Sequence, residues 1–421
     1  MYIPYEKIGK IFTQIFKNDS LKAFFYNKKV KQNLEYIKRN KPIVIKKIQQ
    51  KLKNNIKINV VFYVYDLTKW KCQFVYEEFL KDERFDVKVL VTKSAAENID
   101  NPSYQSIEDV KKCYDFFVSK GLNVELAYDI EKDKFIPFKK FDPDIIFYQH
   151  PWYVETSQGP VVCSKFALTC YIPYYFPIET DKVDYYLRFH QYVQNYYVLD
   201  EQTKEKYQSK MDNGGINLKV VGYPHLDYFL NNQIDSEDYI IYAPHWTVAA
   251  QGLAYSTFEW SGKFLLDYAK NSSKKWVFKP HPLLYKSLID NNIMSKEKVD
   301  NYYKSWEKIG IRYEGGDYLE LFEKSSMMIT DSSSFLGEYF VTGKPLIHLM
   351  SENSQFQKSE NPILKSHYRV ESLSELKKVL EELPQNDCKK DCRLALLNKI
   401  EVNKIAASKR ILKDILNQIN C

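Results

Sequence analysis

From residue 58 onward the apolar positions gather into short runs, separated by longer stretches of helical spacing. Asn59–Tyr65 is the clearest, since a run that is apolar at almost every position suits a strand covered on both faces. Val87–Val91, Asn123–Leu126, Asp144–Tyr148, Leu168–Ile172, Tyr196–Leu199 and Leu218–Gly222 read the same way. A polar stretch at 231–237 reads as a linker. A second series of strands then follows at 239–242, 276–278, 311–313, 327–329 and 345–349. Strands alternating with helices predict parallel sheets.

Two halves of similar size, each alternating in this manner, predict an α/β chain of GT-B type, with two Rossmann-like domains facing a central cleft. The expected boundaries are a basic helical arm over 1–56, an N-terminal Rossmann-like domain over 57–230, a C-terminal Rossmann-like domain over 231–390, and a last helix over 391–421 that crosses back to the first domain.

The arm has its own pattern. Ile8, Ile11, Phe12, Ile15 and Phe16 fall at i, i+3, i+4, i+7 and i+8, which is one face of a helix, and Lys7, Lys10, Gln14 and Lys17 lie on the others. Such a face can lie in a bilayer interface or pack on the protein's own domain. Charge sharpens the question. Residues 1–57 hold fifteen Lys or Arg against Glu6, Asp19 and Glu35, a net of +12, whereas the whole chain is +7. The remainder is therefore net acidic, which argues against a basic nucleic-acid groove and for an anionic membrane surface as the arm's partner.

At 421 residues, 44% hydrophobic and 15% aromatic, the chain is long and apolar enough for two folded cores. The seven cysteines are scattered. Only Cys388 and Cys392 are close, and no second pair completes a zinc set, so they read as free thiols of a reducing compartment. Charges throughout the first twenty residues leave no signal-peptide core, and no long apolar window predicts a membrane span. The expectation is a cytoplasmic protein lying on the inner face of a bacterial membrane.

The candidate chemistry sits at predicted strand ends. Trp276–Phe278 stops at Lys279-Pro-His281-Pro282, and Met327–Ile329 stops at Thr330-Asp331-Ser332-Ser333-Ser334, just before a helical Phe335–Phe340. In open α/β sheets ligands bind at the carboxyl ends of strands, and a helix start rich in N–H groups and hydroxyls suits an anion. The same serines could simply cap the helix. The strand-end motifs contain no Asp-x-Asp cluster that would offer a divalent cation site, so neither metal nor cofactor is expected.

Taken with Gly222-Tyr-Pro224-His-Leu-Asp227, Tyr242-Ala-Pro-His245-Trp246 and Gly343-Lys-Pro345, these motifs form an ordered series over roughly residues 217–350. The series resembles the CDP-glycerol glycerophosphotransferase family, the teichoic-acid and capsule-type polymerases and primases. The resemblance implies transfer of a glycerol-phosphate or related alditol-phosphate group from a CDP-linked donor to a hydroxyl of a lipid-linked or polysaccharide acceptor. It implies that His281 contacts the donor pyrophosphate, that Ser333 and Ser334 bind phosphate, and that Glu338 bonds the ribose hydroxyls. His245, Lys279, Thr330, Asp331 and Ser332 fall in the same donor motifs. In this chain His245 stands where the family has Thr, Thr247 where it has Arg, His225 where it has Arg and Ser332 where it has Tyr.

The family's His-Gly-Thr-Pro segment has no counterpart; the nearest region is Gln149-His150-Pro151 through Gly159-Pro160. A base must take the acceptor's hydroxyl proton, and a histidine suits that work near neutral pH. His150 is the first candidate and Glu155 the second. Tyr171, Tyr174 and Tyr175 could stack on an acceptor or simply pack. The same strand-end site would also serve a glycosyltransferase that uses a UDP- or CMP-sugar, and a non-enzymatic membrane adaptor is the remaining class.

Overall fold

The structure, a computed structural model, describes residues 19–99, 101, 103–178, 188–231, 239–249, 254–313, 318–352, 354, 356, 359–383, 385–399 and 405–419. The apolar face expected at Ile8, Ile11, Phe12, Ile15 and Phe16 lies outside these residues, as does most of the expected linker.

Two compact units are present. The first is drawn from 1–174, 184–224 and 407–421, and the second from 175–183 and 225–406. The first unit carries β1 (Ile58–Val64), β2 (Phe85–Val91), β3 (Val124–Leu126), a small hairpin of β4 (Tyr128–Asp129) and β5 (Lys134–Phe135), then β6 (Ile145–Tyr148), β7 (Leu168–Tyr171), β8 (Asn195–Val198) and β9 (Leu218–Val220). Its seven-stranded sheet runs β3-β2-β1-β6-β7-β8-β9, parallel throughout. The second unit carries β10 (Tyr239–Ala243), β11 (Lys275–Phe278), β12 (Ile311–Arg312), β13 (Met327–Thr330), β14 (Leu346–Leu349) and β15 (Tyr368–Val370). Its sheet runs β12-β11-β10-β13-β14-β15, also parallel.

Both orders reverse direction once, at β1/β6 and at β10/β13. That is the doubly wound Rossmann arrangement, with its crevice at the reversal point. The two units are the Rossmann-like domains of a GT-B fold. Their cores are the apolar runs themselves: Val60, Phe62, Ile145 and Phe147 in the first, Tyr242, Phe278, Ile329 and Ile347 in the second. The predicted strands recur within a residue or two of their expected bounds; β15 and the β4/β5 hairpin are additional.

The second half of the basic arm is docked rather than free. Helix α1 (Asp19–Lys53) buries Val30, Ile37, Val44 and Ile48 at seven- and four-residue intervals, so one stripe faces unit 1. Three of its lysines are committed there. Lys51 Nζ donates to Asp144 Oδ2 at 2.7 Å, Lys47 Nζ lies 3.2 Å from Asp144 Oδ1, and Lys41 Nζ donates to Asn195 Oδ1 at 2.8 Å and to the Gln194 carbonyl at 3.0 Å. The Asp144 side chain is fully buried, so losing Lys51 would leave a poorly paired carboxylate. Part of the positive charge that suggested a membrane arm is therefore used to hold α1 in place.

Helix α2 (Phe258–Lys270) and helix α3 (Ser333–Glu338) flank the candidate site. The expected single C-terminal helix is two helices, α4 (Lys390–Lys399) and α5 (Ala407–Ile419). Helix α4 belongs to unit 2, tied by the buried Arg393, whose Nε donates to the Gly343 carbonyl at 2.8 Å. Helix α5 belongs to unit 1, where Ile411, Ile415 and Ile419 enter the core and Asp414 accepts from the Tyr197 hydroxyl at 3.0 Å.

Candidate functional site

In unit 2 the donor motifs occupy the carboxyl ends of three adjacent strands. Lys279 follows β11, His245 lies just beyond β10, and Asp331 follows β13. The β10/β13 boundary is the sheet's reversal point, so the topology alone opens a crevice between these strand ends.

Two residues stitch that crevice together. Thr330 Oγ1 donates to the Ala243 carbonyl at 2.6 Å and accepts the Ser332 N–H at 3.0 Å. Asp331 is buried, and one carboxylate oxygen accepts the His245 N–H at 2.6 Å. Its other oxygen accepts the Thr257 N–H at 2.7 Å and the Thr257 hydroxyl at 2.9 Å. Asp331 therefore pins the loop after β10 and the start of α2; α3 receives no cap from Ser332, its N-cap residue. Burial pushes the Asp331 carboxyl up to about 6, against these hydrogen bonds, which favour the ionised form.

Asp331→Asn should therefore destabilise unit 2. An amide turns one accepting oxygen into a donor, which must face a donor in either orientation. The expected loss is about 1–3 kcal/mol, read as a lower melting temperature and faster amide exchange at His245 and Thr257.

Ser332, Ser333 and Ser334 are half-buried, and their hydroxyls have no protein hydrogen-bond partner among the described residues. Lys279 is nearly buried, with Nζ 4.9 Å from the Tyr318 ring centroid, 5.1 Å from Phe335 and 5.8 Å from Tyr313. Ring faces stabilise the cation, which keeps a positive charge beside the serine-rich turn. Glu338 is fully buried and accepts the Tyr318 hydroxyl, so it supports the ring beneath Lys279.

The His281 turn is fixed by its backbone. Its N–H donates to the Pro244 carbonyl at 3.0 Å, and its carbonyl accepts the Leu284 N–H at 2.8 Å. The half-buried ring lies 5.1 Å from that of His245 and 6.0 Å from Trp246. Together these groups supply hydroxyls, imidazole N–H groups and one cation, a set suited to phosphate oxygens. Among the described residues there is no group of three or more His, Cys, Asp or Glu side chains that could hold a metal ion.

In unit 1, His150 and Tyr65 stand beyond β6 and β1, again at the reversal point. The structure seals His150 completely. Its ring lies 4.2 Å from Tyr65 at 29° and 5.9 Å from Tyr174 at 24°, and among the described residues neither ring nitrogen has a hydrogen-bond partner. Burial, reinforced by the Lys69 ammonium and opposed by Asp66, pushes the His150 imidazole down to about 3. The ring is neutral at physiological pH, but while buried it is a weak base, so Tyr65 or Tyr174 must move and admit water or substrate before His150 can take a proton. Glu155 is engaged locally: its carboxylate accepts the Ser157 N–H at 2.6 Å and the Ser157 hydroxyl, capping the 3₁₀ turn Thr156–Gln158.

Sequence reading missed Thr257 and Tyr318, which fix Asp331 and Glu338, and noted Thr247 only as a departure from the family motif, without its hold on His245. The partners of Asp331 lie 74 and 86 residues away in sequence, beyond the reach of any local pattern.

No protein-family model matches the chain, and no curated protein matches it by sequence. Solved structures do. The wall teichoic acid polymerase TagF is 14% identical, with TM-score 0.55 and full coverage of both chains. A second TagF structure, soaked with CDPG, gives TM-score 0.52 at 14% identity over 93% of this chain and 99% of that one. UDP-GlcNAc 2-epimerase from Neisseria meningitidis, bound to UDP-GlcNAc, gives TM-score 0.51 at 15% identity over 86% of this chain and all of the other. At these identities the likeness is one of fold, and it places the chain among GT-B proteins that include a teichoic acid polymerase.

Proposed function

We propose that this chain is a GT-B transferase that moves a glycerol-phosphate or related alditol-phosphate group from a CDP-linked donor to a hydroxyl of a cell-surface glycopolymer. The observation that carries the reading is the convergence of His245, Lys279, His281 and Ser332–Ser334 at the reversal point of the unit 2 sheet. The full-length likeness to TagF supports it. In the reaction, the acceptor oxygen bonds to the alditol-bearing phosphorus, the bond from that phosphorus to the bridging oxygen breaks, and CMP leaves with the electron pair. The hydroxyl proton passes to a base, for which His150 is the candidate. His281, Lys279 and the serine hydroxyls stabilise the charge that develops on the leaving phosphate.

A nucleotide-sugar enzyme is the second reading, favoured by the UDP-GlcNAc epimerases of the same fold. A thermal-shift screen against CDP-glycerol, CDP-ribitol, CMP, UDP and UDP-sugars separates the two. A ligand at about a hundred times its Kd should add roughly 2.7 kcal/mol of stability. A response confined to cytidine nucleotides supports the proposal over a UDP-sugar enzyme, and a larger shift with CDP-glycerol or CDP-ribitol than with CMP sets it apart from a CMP-sugar enzyme; a uridine-only response moves the chain to the second reading, and silence throughout removes both. His281→Ala and Ser333→Ala should each weaken CMP binding by about 1.5–3 kcal/mol, the cost of one charge-assisted hydrogen bond. Titration calorimetry giving wild-type affinity for either variant would remove that residue from the phosphate site.

A further inference from the structure

His245 and His281 lie side by side, with ring centroids 5.1 Å apart at 61°. In each ring Nδ1 is already in use. His281 Nδ1 accepts the Leu283 N–H at 3.1 Å. His245 Nδ1 lies 2.9 Å from Thr247 Oγ1. That hydroxyl oxygen accepts the N–H groups of Tyr255 at 3.0 Å and Ser256 at 3.4 Å, so its own proton is directed to His245 Nδ1. The Thr247 N–H faces the same nitrogen at 3.4 Å. An imidazole nitrogen that accepts carries no proton, so a neutral ring must carry it on Nε2.

Among the described residues, His245 Nε2 has no protein hydrogen-bond partner, and only 7% of the residue is exposed. Asp331 holds the backbone of the same residue. Loop, hydroxyl and carboxylate thus fix one imidazole in place, with one tautomer and with Nε2 left for a ligand.

We propose that Thr247 locks His245 in its Nε2–H tautomer, and that this N–H works beside that of His281 as a neutral hydrogen-bond donor to the phosphate oxygens of a nucleoside phosphate. The inference rests on the nucleotide reading above and adds to it a positioning residue, Thr247, and a donor that is not a cation. Burial pushes the His245 imidazole down to about 3, so the ring is uncharged across the physiological range. A neutral donor can grip a phosphate oxygen in a buried site without the desolvation cost of a second cation next to Lys279.

The test separates the lock from the ligand. Long-range nitrogen–proton NMR of the ligand-free full chain should show His245 protonated at Nε2. Thr247→Val should give a tautomer mixture, and Thr247→Ser should restore the single form. Binding of CMP and of inorganic pyrophosphate is then measured by calorimetry, with circular dichroism confirming that each variant is folded. A glutamine amide can stand in for Nε2 and an asparagine amide for Nδ1. His245→Gln should therefore stay within about threefold of wild type, while His245→Asn and Thr247→Val should lose about tenfold or more.

Nδ1 protonation in the wild type overturns the lock, whatever binds. A correct tautomer with His245→Asn binding as tightly as wild type overturns the donor role. If the wild type binds neither probe, the donor role falls together with the nucleotide reading, and the NMR result shows whether the lock falls with them.

Discussion

His150→Phe should leave unit 1 more stable and the proposed transfer nearly abolished. In the native ring both nitrogens are buried without partners between Tyr65 and Tyr174. A buried polar group without a hydrogen bond costs about 1–3 kcal/mol, and phenylalanine removes that cost while adding roughly one methylene of volume, which takes back part of the gain. The aromatic sandwich remains, so packing is kept. If His150 is the base, the variant should lose about 10²–10⁴ in turnover with donor affinity unchanged, since the donor motifs lie in unit 2. Thermal denaturation, CMP titration and a single-turnover transfer assay read these three quantities separately. A stabilised variant with full activity would make His150 a packing residue. A destabilised variant would mean either that the larger ring overpacks the site or that the nitrogens gain bonds in solution, and the NMR shifts of the native ring decide between the two.

Such a split between stability and activity is what a functional group kept in an unfavourable setting should show. The sequence marked His150 through its place at a strand end, but its burial was invisible there. Burial follows from Tyr65 and Tyr174, which stand 85 residues before and 24 after it, and neither spacing has a local period.

The same distinction divides the rest of the molecule. The parallel strands were legible because each is an apolar run whose local composition is also its tertiary environment. Residues directly after those runs, Lys279, His281 and Asp331 among them, could therefore be placed at strand ends without a structure. β15 was not legible, since Tyr368-Arg-Val370 is too short to show a period. The break between α4 and α5 was not legible either, because helical spacing continues across it. Charge misled in the arm. Lys41, Lys47 and Lys51 read as part of a basic surface, yet their partners Asn195 and Asp144 lie about a hundred residues or more away in sequence and fix α1 to unit 1. The role of Asp331 needed the fold for the same reason. A helix-start aspartate suggests a cap, and only the β10/β13 pairing brings His245 to it.

Mild acid should unfold the chain unusually readily. Four of its seven histidines are buried and held neutral: His150, His245 and His367 are pushed down to about 3, and His348 falls well below its ordinary value, in each case chiefly by burial. A histidine whose folded pKa lies below its unfolded value binds its proton more readily in the unfolded chain. Its contribution to stability is complete above about pH 6.5 and is lost as pH falls toward about 3. Each such histidine costs about 1.4 kcal/mol per pH unit across that window, so the three in unit 2 together approach the whole stability of a typical domain by about pH 5, and His150 takes its share from unit 1. Asp331 acts in the opposite sense. Its carboxyl is raised to about 6, so protonation as pH falls favours the folded state. One group against the three histidines of unit 2 cannot reverse the slope. Urea denaturation at a series of pH values between about 7 and 5 should show a steep fall in midpoint, and His150→Phe should flatten it by about one histidine's share. A midpoint that is level over that range would show that the buried rings gain protons, and hence partners, in the folded protein.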